Sequence, residues 1–328
     1  MSQQSSEENF IVLCIAQRGR LEHEAVVFTR SFRATNPEFK GRLIVAEPTG
    51  VRWREPTTLT PEIRAILEED GAEILPFENR HFGEDYPYGN KIEALAALPA
   101  QPFIFFDTDT VFTAPLPPLD FSYPTASMRR EGTWPEPPLY GPGYHEIWKC
   151  LYDRFGIAFE PTLDLSQPEE FWKRFLYFNA GWFMGADAQE FGARFLRFAL
   201  SIRDETPDEL ACQSLDPWLD QIALPLVIAS LGGGRPPASL DALDGASSCH
   251  YRTLPLLYAR ESESAIAMVE EVCTPNRIKK VIKAYEPIRK LVLQGKGKKI
   301  RALFDQNDLP RREKVMRNRI KREGLWLR

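Results

Sequence analysis

Asp107 and Asp109 are two carboxylates spaced i, i+2, directly after the apolar run Phe103-Ile104-Phe105-Phe106. Apolar residues resume at once with Val111 and Phe112. Carboxylates at the end of a buried run are costly unless something positive meets them. A hard divalent cation holding a diphosphate would do so. Mg²⁺ prefers oxygen ligands and commonly takes one or two carboxylates plus substrate phosphates, and Mn²⁺ suits the same donors. An isolated D-x-D is common in proteins of every kind, so what surrounds it decides its meaning.

The run 103–106 has the length and the aromatic and β-branched content of a buried strand. Apolar runs at 10–16, 42–46 and 72–76 read as three earlier strands. Helical spacing at 21–32, 61–70 and 89–98 places helices between them, with Thr60 as N-cap of the second and Gly71 past its end. Alternating strands and helices imply βαβ units, an α/β class and a mostly parallel sheet. Ligands of such sheets sit beyond the carboxyl ends of the strands, where Asp107-Thr108-Asp109 falls.

Eight prolines lie between Pro115 and Pro142, a loop system interrupted by a short predicted strand at 125–128. Trp134, Tyr140, Tyr144 and Trp148 accompany it, either as a lid that stacks on a sugar or as pins for the loop. Another apolar run at 175–184 is broken by Asn179-Ala180-Gly181. Asp187 then opens a helix whose Phe191, Phe195, Phe198 and Ile202 form a core-facing stripe. A further helix is predicted to open at Asp216-Pro217, with Asp216 as N-cap, and to carry Asp220-Gln221. Gly232-Gly233-Gly234 ends it and precedes prolines rather than a helix, which argues against a phosphate loop. After Glu261 the chain reads as helices joined by a flexible segment at 295–299.

The ordered set Lys91, then Phe105-Phe106-Asp107-Thr108-Asp109-Thr110, then Phe178-Asn179-Ala180-Gly181-Trp182-Phe183, then Asp220-Gln221, then His250 resembles the glycosyltransferases of the GT-A fold. It is most similar to the retaining family that includes glycogenin and bacterial lipopolysaccharide glucosyl- and galactosyltransferases. The resemblance covers residues 10–251. It implies that Asp107, Asp109 and His250 hold Mn²⁺ or Mg²⁺ against the diphosphate of a nucleotide sugar, with Thr108 alongside. It places Asn179, Gly181, Asp220 and Gln221 around the donor sugar and the reacting centre, and Lys91 facing the donor. Gln17 falls where such folds hold the base, and uracil is the base the family implies.

Each residue also has a plainer reading. Asn179 offers donor and acceptor groups that suit sugar hydroxyls, and Gly181 would let backbone approach a ligand, but both also fit a strand-end turn. Asp220 would be a helix cap, except that Asp216 is expected to fill that role. His250 would be a structural histidine; His23, His81 and His145 have no support as ligands and read as surface or loop residues. One departure stands out. The family places a Gly and a Lys shortly after the His to meet the diphosphate, and here Tyr251-Arg252-Thr253-Leu254-Pro255 has neither. Arg252, or a lysine of the 296–299 segment, is the expected substitute.

With 328 residues, 43% hydrophobic and 27% charged, the chain can bury a sizeable core. Its polar start and short first apolar run predict a cytoplasmic protein without a signal peptide or membrane span. Five scattered cysteines without CxxC spacing argue against a zinc site or a disulfide framework. The net charge of −5 hides an asymmetry: residues 274–328 hold 18 Lys and Arg against 5 Asp and Glu, a net of +13. Such a basic segment predicts a partner of its own, anionic lipid first and nucleic acid second, or else a solvated helical extension folded on an acidic body. The expected organisation is a GT-A catalytic domain at 1–260 and a basic helical extension at 261–328. The expected activity is metal-dependent transfer of a sugar, with retention, to a saccharide or lipid-linked acceptor at the inner face of a membrane. A nucleotidyltransferase making nucleotide sugars and a catalytically weak saccharide- or protein-binding module are the alternatives.

Overall fold

The computed structural model describes residues 9–129, 134–136 and 141–327. Tyr140 and the Pro137-Pro138 pair lie outside the described residues. The strands are β1 (Ile11–Ile15), β2 (Arg42–Thr49), β3 (Ala72–Glu78), β4 (Phe103–Phe106), β5 (Thr110–Phe112), β6 (Thr125–Ala126), β7 (Trp182–Gly185) and β8 (Ser248–His250). The helices are α1 (Arg20–Thr35), α2 (Pro61–Glu69), α3 (Asn90–Ala96), α4 (Tyr144–Arg154), α5 (Ala188–Asp204), α6 (Leu219–Ser230), α7 (Leu254–Arg260), α8 (Glu263–Cys273), α9 (Asn276–Ile282), α10 (Gly297–Arg301) and α11 (Glu313–Arg322), with a π-helical turn at Ile288–Leu293.

Among the described residues six strands form one sheet in the order β3-β2-β1-β4-β7-β6. The first four are mutually parallel, and β7 runs against both its neighbours. The sheet is therefore mixed but mostly parallel, as the βαβ pattern predicts. β1 is buried at every residue, because helices cover both faces. Side chains alternate between those faces. Val12, Cys14, Ile104 and Phe106 pack toward α1, α2 and the helices from α7 onward. Ile11, Leu13, Phe103 and Phe105 pack toward α3, α4, α5 and α6. The predicted stripe on α5 is buried throughout, and Asp187 caps that helix by accepting from the Glu190 N–H at 2.9 Å.

Three expectations change, and one open alternative is decided. α6 begins at Leu219, not at Asp216-Pro217, because the Leu215 carbonyl accepts from both the Trp218 and Leu219 N–H at 2.7 Å and closes a turn over the proline. Asp216 therefore does not cap it. Trp134 and Trp148 are buried edge to face at 5.4 Å, and Tyr144 stacks on Phe175 at 5.7 Å, so these three pin the proline-rich loop. His23 is not a surface residue; it is buried on α1 and stacked on Tyr285. The 295–299 segment is anchored rather than flexible, since a Cβ on Gly297 would stand 2.3 Å from the Tyr258 ring.

The C-terminal helices send Val269, Ile282, Leu291, Ile300 and Ile320 into the same core as α1 and β1. Several of their basic residues, among them Lys279, Lys280 and Lys283, stay exposed. No helix among the described residues is long and apolar enough to cross a membrane, and the five cysteines are free thiols.

Candidate active site

β4 delivers the two carboxylates. After Phe106 the chain leaves the sheet, and the Asp107 N–H donates to the Gly181 carbonyl at 2.8 Å, which ties the turn to the start of β7. The chain then re-enters a second, two-stranded sheet, where β5 pairs with β8 and Thr110 stands opposite His250. The Tyr251 N–H closes this arrangement on the Asp109 carbonyl at 3.0 Å. Two short strands, 140 residues apart in sequence, thus bring the imidazole to the carboxylates. His250 Nε2 lies 3.1 Å from Asp109 Oδ1 and 3.7 Å from Asp107 Oδ2. One donor atom from each of the three residues lies within 4.8 Å of the others, a cluster that could hold a metal ion. Gly181 makes room for the ring, because a Cβ there would stand 2.4 Å from His250 Nδ1. The close approach expected at Gly181 is therefore to the imidazole.

Charge around the carboxylates is organised by Lys91, buried on α3. Its Nζ lies 2.8 Å from Asp107 Oδ1 and 3.3 Å from Asp220 Oδ2. Burial alone would lower the Lys91 pKa, but the two carboxylates outweigh it and raise it, so the ammonium stays charged. Burial raises the Asp107 pKa against the pull of Lys91 and His250, and repulsion from Asp109 adds to the rise. Burial also pushes Asp109 up, but His250 and Arg20 outweigh it and hold that carboxyl below the usual range.

Asp220 enters in the first turn of α6, and sequence reading missed what holds it. The Tyr86 hydroxyl donates to Asp220 Oδ1 at 2.8 Å and accepts from the Asp220 N–H at 2.9 Å. Burial beside that carboxylate holds the Tyr86 pKa well above its ordinary value, so the phenol remains a donor. Tyr177 was also missed; its hydroxyl donates to Gln221 Oε1 at 2.9 Å. Asn179 lines the site, but its amide is engaged in the turn. It donates to the Arg129 carbonyl, and its oxygen accepts from the Gly181 N–H at 2.6 Å. Ala180 between them has φ 56°, a left-handed state rare outside glycine. Thr108 donates its hydroxyl to the Ile15 carbonyl, joining the ends of β4 and β1. Gln17, just past β1, accepts from the Asn90 amide at 3.1 Å.

Two adjoining cavities meet at Arg20, Tyr88, Lys91, Asp107 and Asp109. One, of about 330 Å³, runs toward Ile15, Gln17 and Asn90. The other, of about 430 Å³, holds Asn179, Asp220, Gln221 and His250, with Arg252 and Arg317 on its wall. Arg252 sits at φ 64°, two residues past His250. Lys298 lines a separate surface cavity with Tyr258 and Glu270, and the 296–299 lysines line neither of the two cavities at the carboxylates. The substitute expected from that segment is not found there. Arg317, by contrast, had no signal in the sequence beyond the basic excess of its segment.

Two carboxylates and an imidazole thus gather at the ligand edge of an α/β sheet, in a cleft beyond β4. The chain belongs to the Rhodobacterales glycosyltransferase domain family, which matches residues 12–232. His250 and α7 to α11 lie past the matched span. No curated protein matches the chain. The structure is similar to that of the galactosyltransferase LgtC in complex with donor and acceptor sugar analogues. That similarity has 13% identity and a TM-score of 0.41, covering 70% of this chain and 73% of that one. An active-site mutant of LgtC gives the same figures. The bifunctional glycosyltransferase WbbM is similar at 13% identity and TM-score 0.36, over 72% of this chain and 40% of that one.

Proposed function

We propose that the protein is a metal-dependent glycosyltransferase that moves a sugar from a nucleotide diphosphate sugar, with UDP the expected carrier, to a saccharide or lipid-linked acceptor. The observation that carries this is the convergence of Asp107, Asp109 and His250 within one cleft at the ligand edge of the sheet. The donor set fits Mn²⁺ or Mg²⁺: carboxylate oxygens suit both, and the imidazole favours Mn²⁺. Such an ion, when bound, offsets negative charge building on the departing diphosphate.

The chain's own residues supply position and electrostatics. The two cavities together suit a ligand with a base at one end and a sugar at the other, and each is within the size range of small-molecule sites. Gln17 and Asn90 would meet the base. Lys91 holds Asp107 and Asp220 in fixed geometry, so these carboxylates need no rearrangement when the donor binds. Asp220, oriented by Tyr86, would accept from donor-sugar hydroxyls, and Gln221, oriented by Tyr177, would touch the reacting face. Asn179 retains one N–H and a lone pair for a sugar hydroxyl beyond its turn bonds. The order of the D-x-D, N-A-G and D-Q segments favours retention. No single catalytic base is assigned, because the leaving phosphate can itself take the acceptor proton. The exposed lysines of the C-terminal helices suit peripheral contact with anionic lipid at the cytoplasmic side of a membrane.

The central test is Asp109→Asn. Calorimetry with Mn²⁺ and UDP should show binding weakened by about tenfold or more, roughly 1.4 kcal/mol, while the circular dichroism spectrum is unchanged. Unchanged binding would overturn the proposal. Mn²⁺-dependent hydrolysis across a panel of nucleotide sugars separates the rivals. Formation of a nucleotide sugar from a sugar phosphate would point to a nucleotidyltransferase, and neither hydrolysis nor donor binding would point to a binding module.

A further inference from the structure

The residues that line the larger cavity include both acidic and basic side chains. Asp107, Asp109 and Asp220 form one group with Lys91 and Arg20. Arg252 and Arg317 belong to a second group, a network of arginines around two buried carboxylates. Glu313, buried at the start of α11, is shared by Arg317 on its own helix, by Arg260 at 3.2 Å and by Arg252 at 3.6 Å. Glu261 is shared by Arg260 at 3.0 Å and Arg129 at 2.9 Å. Four guanidinium groups thus gather around two carboxylates, and Arg252 and Arg317 reach the cleft. Arg317 is also braced from behind, its guanidinium 5.5 Å from the Trp326 ring. A cleft lined by an acidic and a basic group suits a ligand that brings a cation to the first and phosphate oxygens to the second. Guanidinium groups are the side chains best matched to phosphate.

We propose that Arg317, carried on α11 from the far end of the chain and aided by Arg252, binds the donor's diphosphate on the side away from Asp107 and Asp109. This rests on the donor-binding reading above. It gives the C-terminal helix a direct part in the site: Arg317 sits 67 residues beyond His250, reaching the cleft through tertiary packing alone. The shared chemistry is a phosphate group, which an acceptor could also carry, so dependence on the metal site distinguishes the two sources.

The test is calorimetric titration of pyrophosphate into the full chain with and without Mn²⁺. It compares wild type, Arg317→Ala, Arg317→Lys and Asp109→Asn. The expected result is Mn²⁺-dependent binding by wild type, weakened about tenfold in Arg317→Ala and less in Arg317→Lys, with thermal midpoints close to wild type. Asp109→Asn should lose the Mn²⁺ dependence. Wild-type affinity in Arg317→Ala, with Asp109→Asn impaired, would overturn this inference and leave the donor reading standing. Arg317-dependent binding that persists without Mn²⁺ and in Asp109→Asn would also overturn it, and would assign the arginine to an acceptor phosphate. No Mn²⁺-dependent binding by wild type would overturn both.

Discussion

At Gly181 the space a Cβ would occupy is held by His250 Nδ1 at 2.4 Å and by Asn179 Oδ1 at 2.9 Å. The residue is therefore fixed by its neighbours rather than by its own backbone angles. Gly181→Ala should push the imidazole off the carboxylates and strain the 179–181 turn. Overpacking of this kind costs about 1–3 kcal/mol, so the thermal midpoint should fall by several degrees and Mn²⁺ titration should show weaker binding. A variant with wild-type midpoint and affinity would refute this account of the glycine. The same scale shows the difference between naming a residue and knowing its partners. Asp107, Asp109, Asp220 and His250 could be picked from the chain as chemistry-bearing residues. That Lys91 bridges Asp107 and Asp220, or that Tyr86 orients Asp220, could not be read, because the partners are separated by up to 134 residues and meet only after folding.

Among the elements, β4 is the run expected at Phe103–Phe106, and β1 to β3 with α1 to α3 fall within a few residues of their sequence signals. Those segments carry strong apolar periodicity and are bounded by turn residues, so local pattern and tertiary packing agree. The start of α6 was misplaced because Asp216-Pro217 has the local form of a cap, while the turn set by the Leu215 carbonyl overrides it. The C-terminal helices were legible as helices, but not as part of the main core. Their packing has a consequence for any shortened chain. Ending at Thr274 would remove Ile278, Ile282, Ile288, Leu291, Ile300 and Ile320, all buried against the body. At about 1.5–3 kcal/mol per buried aliphatic side chain, the loss is comparable with the whole stability of a domain. Such a chain should fail to give a cooperative thermal transition by circular dichroism; a native-like transition would show the body to be self-sufficient.

For the molecule as a whole, the 274–328 segment at +13 opposes a remainder that carries 23 Lys and Arg against 41 Asp and Glu. Part of that opposition is answered internally, by Arg277 on Glu69 and by Arg301 on Glu263. The exposed remainder, including Lys279, Lys280 and Lys283 on α9, is what anionic lipid would meet. Flotation with vesicles rich in phosphatidylserine should bring the full chain to the top at low salt. Replacing those three lysines by glutamine should reduce this, at about 1 kcal/mol per lysine near the surface. A full chain that does not float would remove membrane contact from the proposed function. The pairing of β5 with β8 reaches further still. Two members of the ligand cluster hang from the end of a strand locked in the six-stranded sheet, and the third from a ladder of three residue pairs. Those two supports differ in the number of strands that brace them. An ion that drew on all three residues would transfer part of its binding free energy into the less braced one. By mass action that gain is about 2.7 kcal/mol when the ion is at a hundredfold its Kd. Local order around His250 would then rise and fall with the supply of ion while the main sheet stayed indifferent to it.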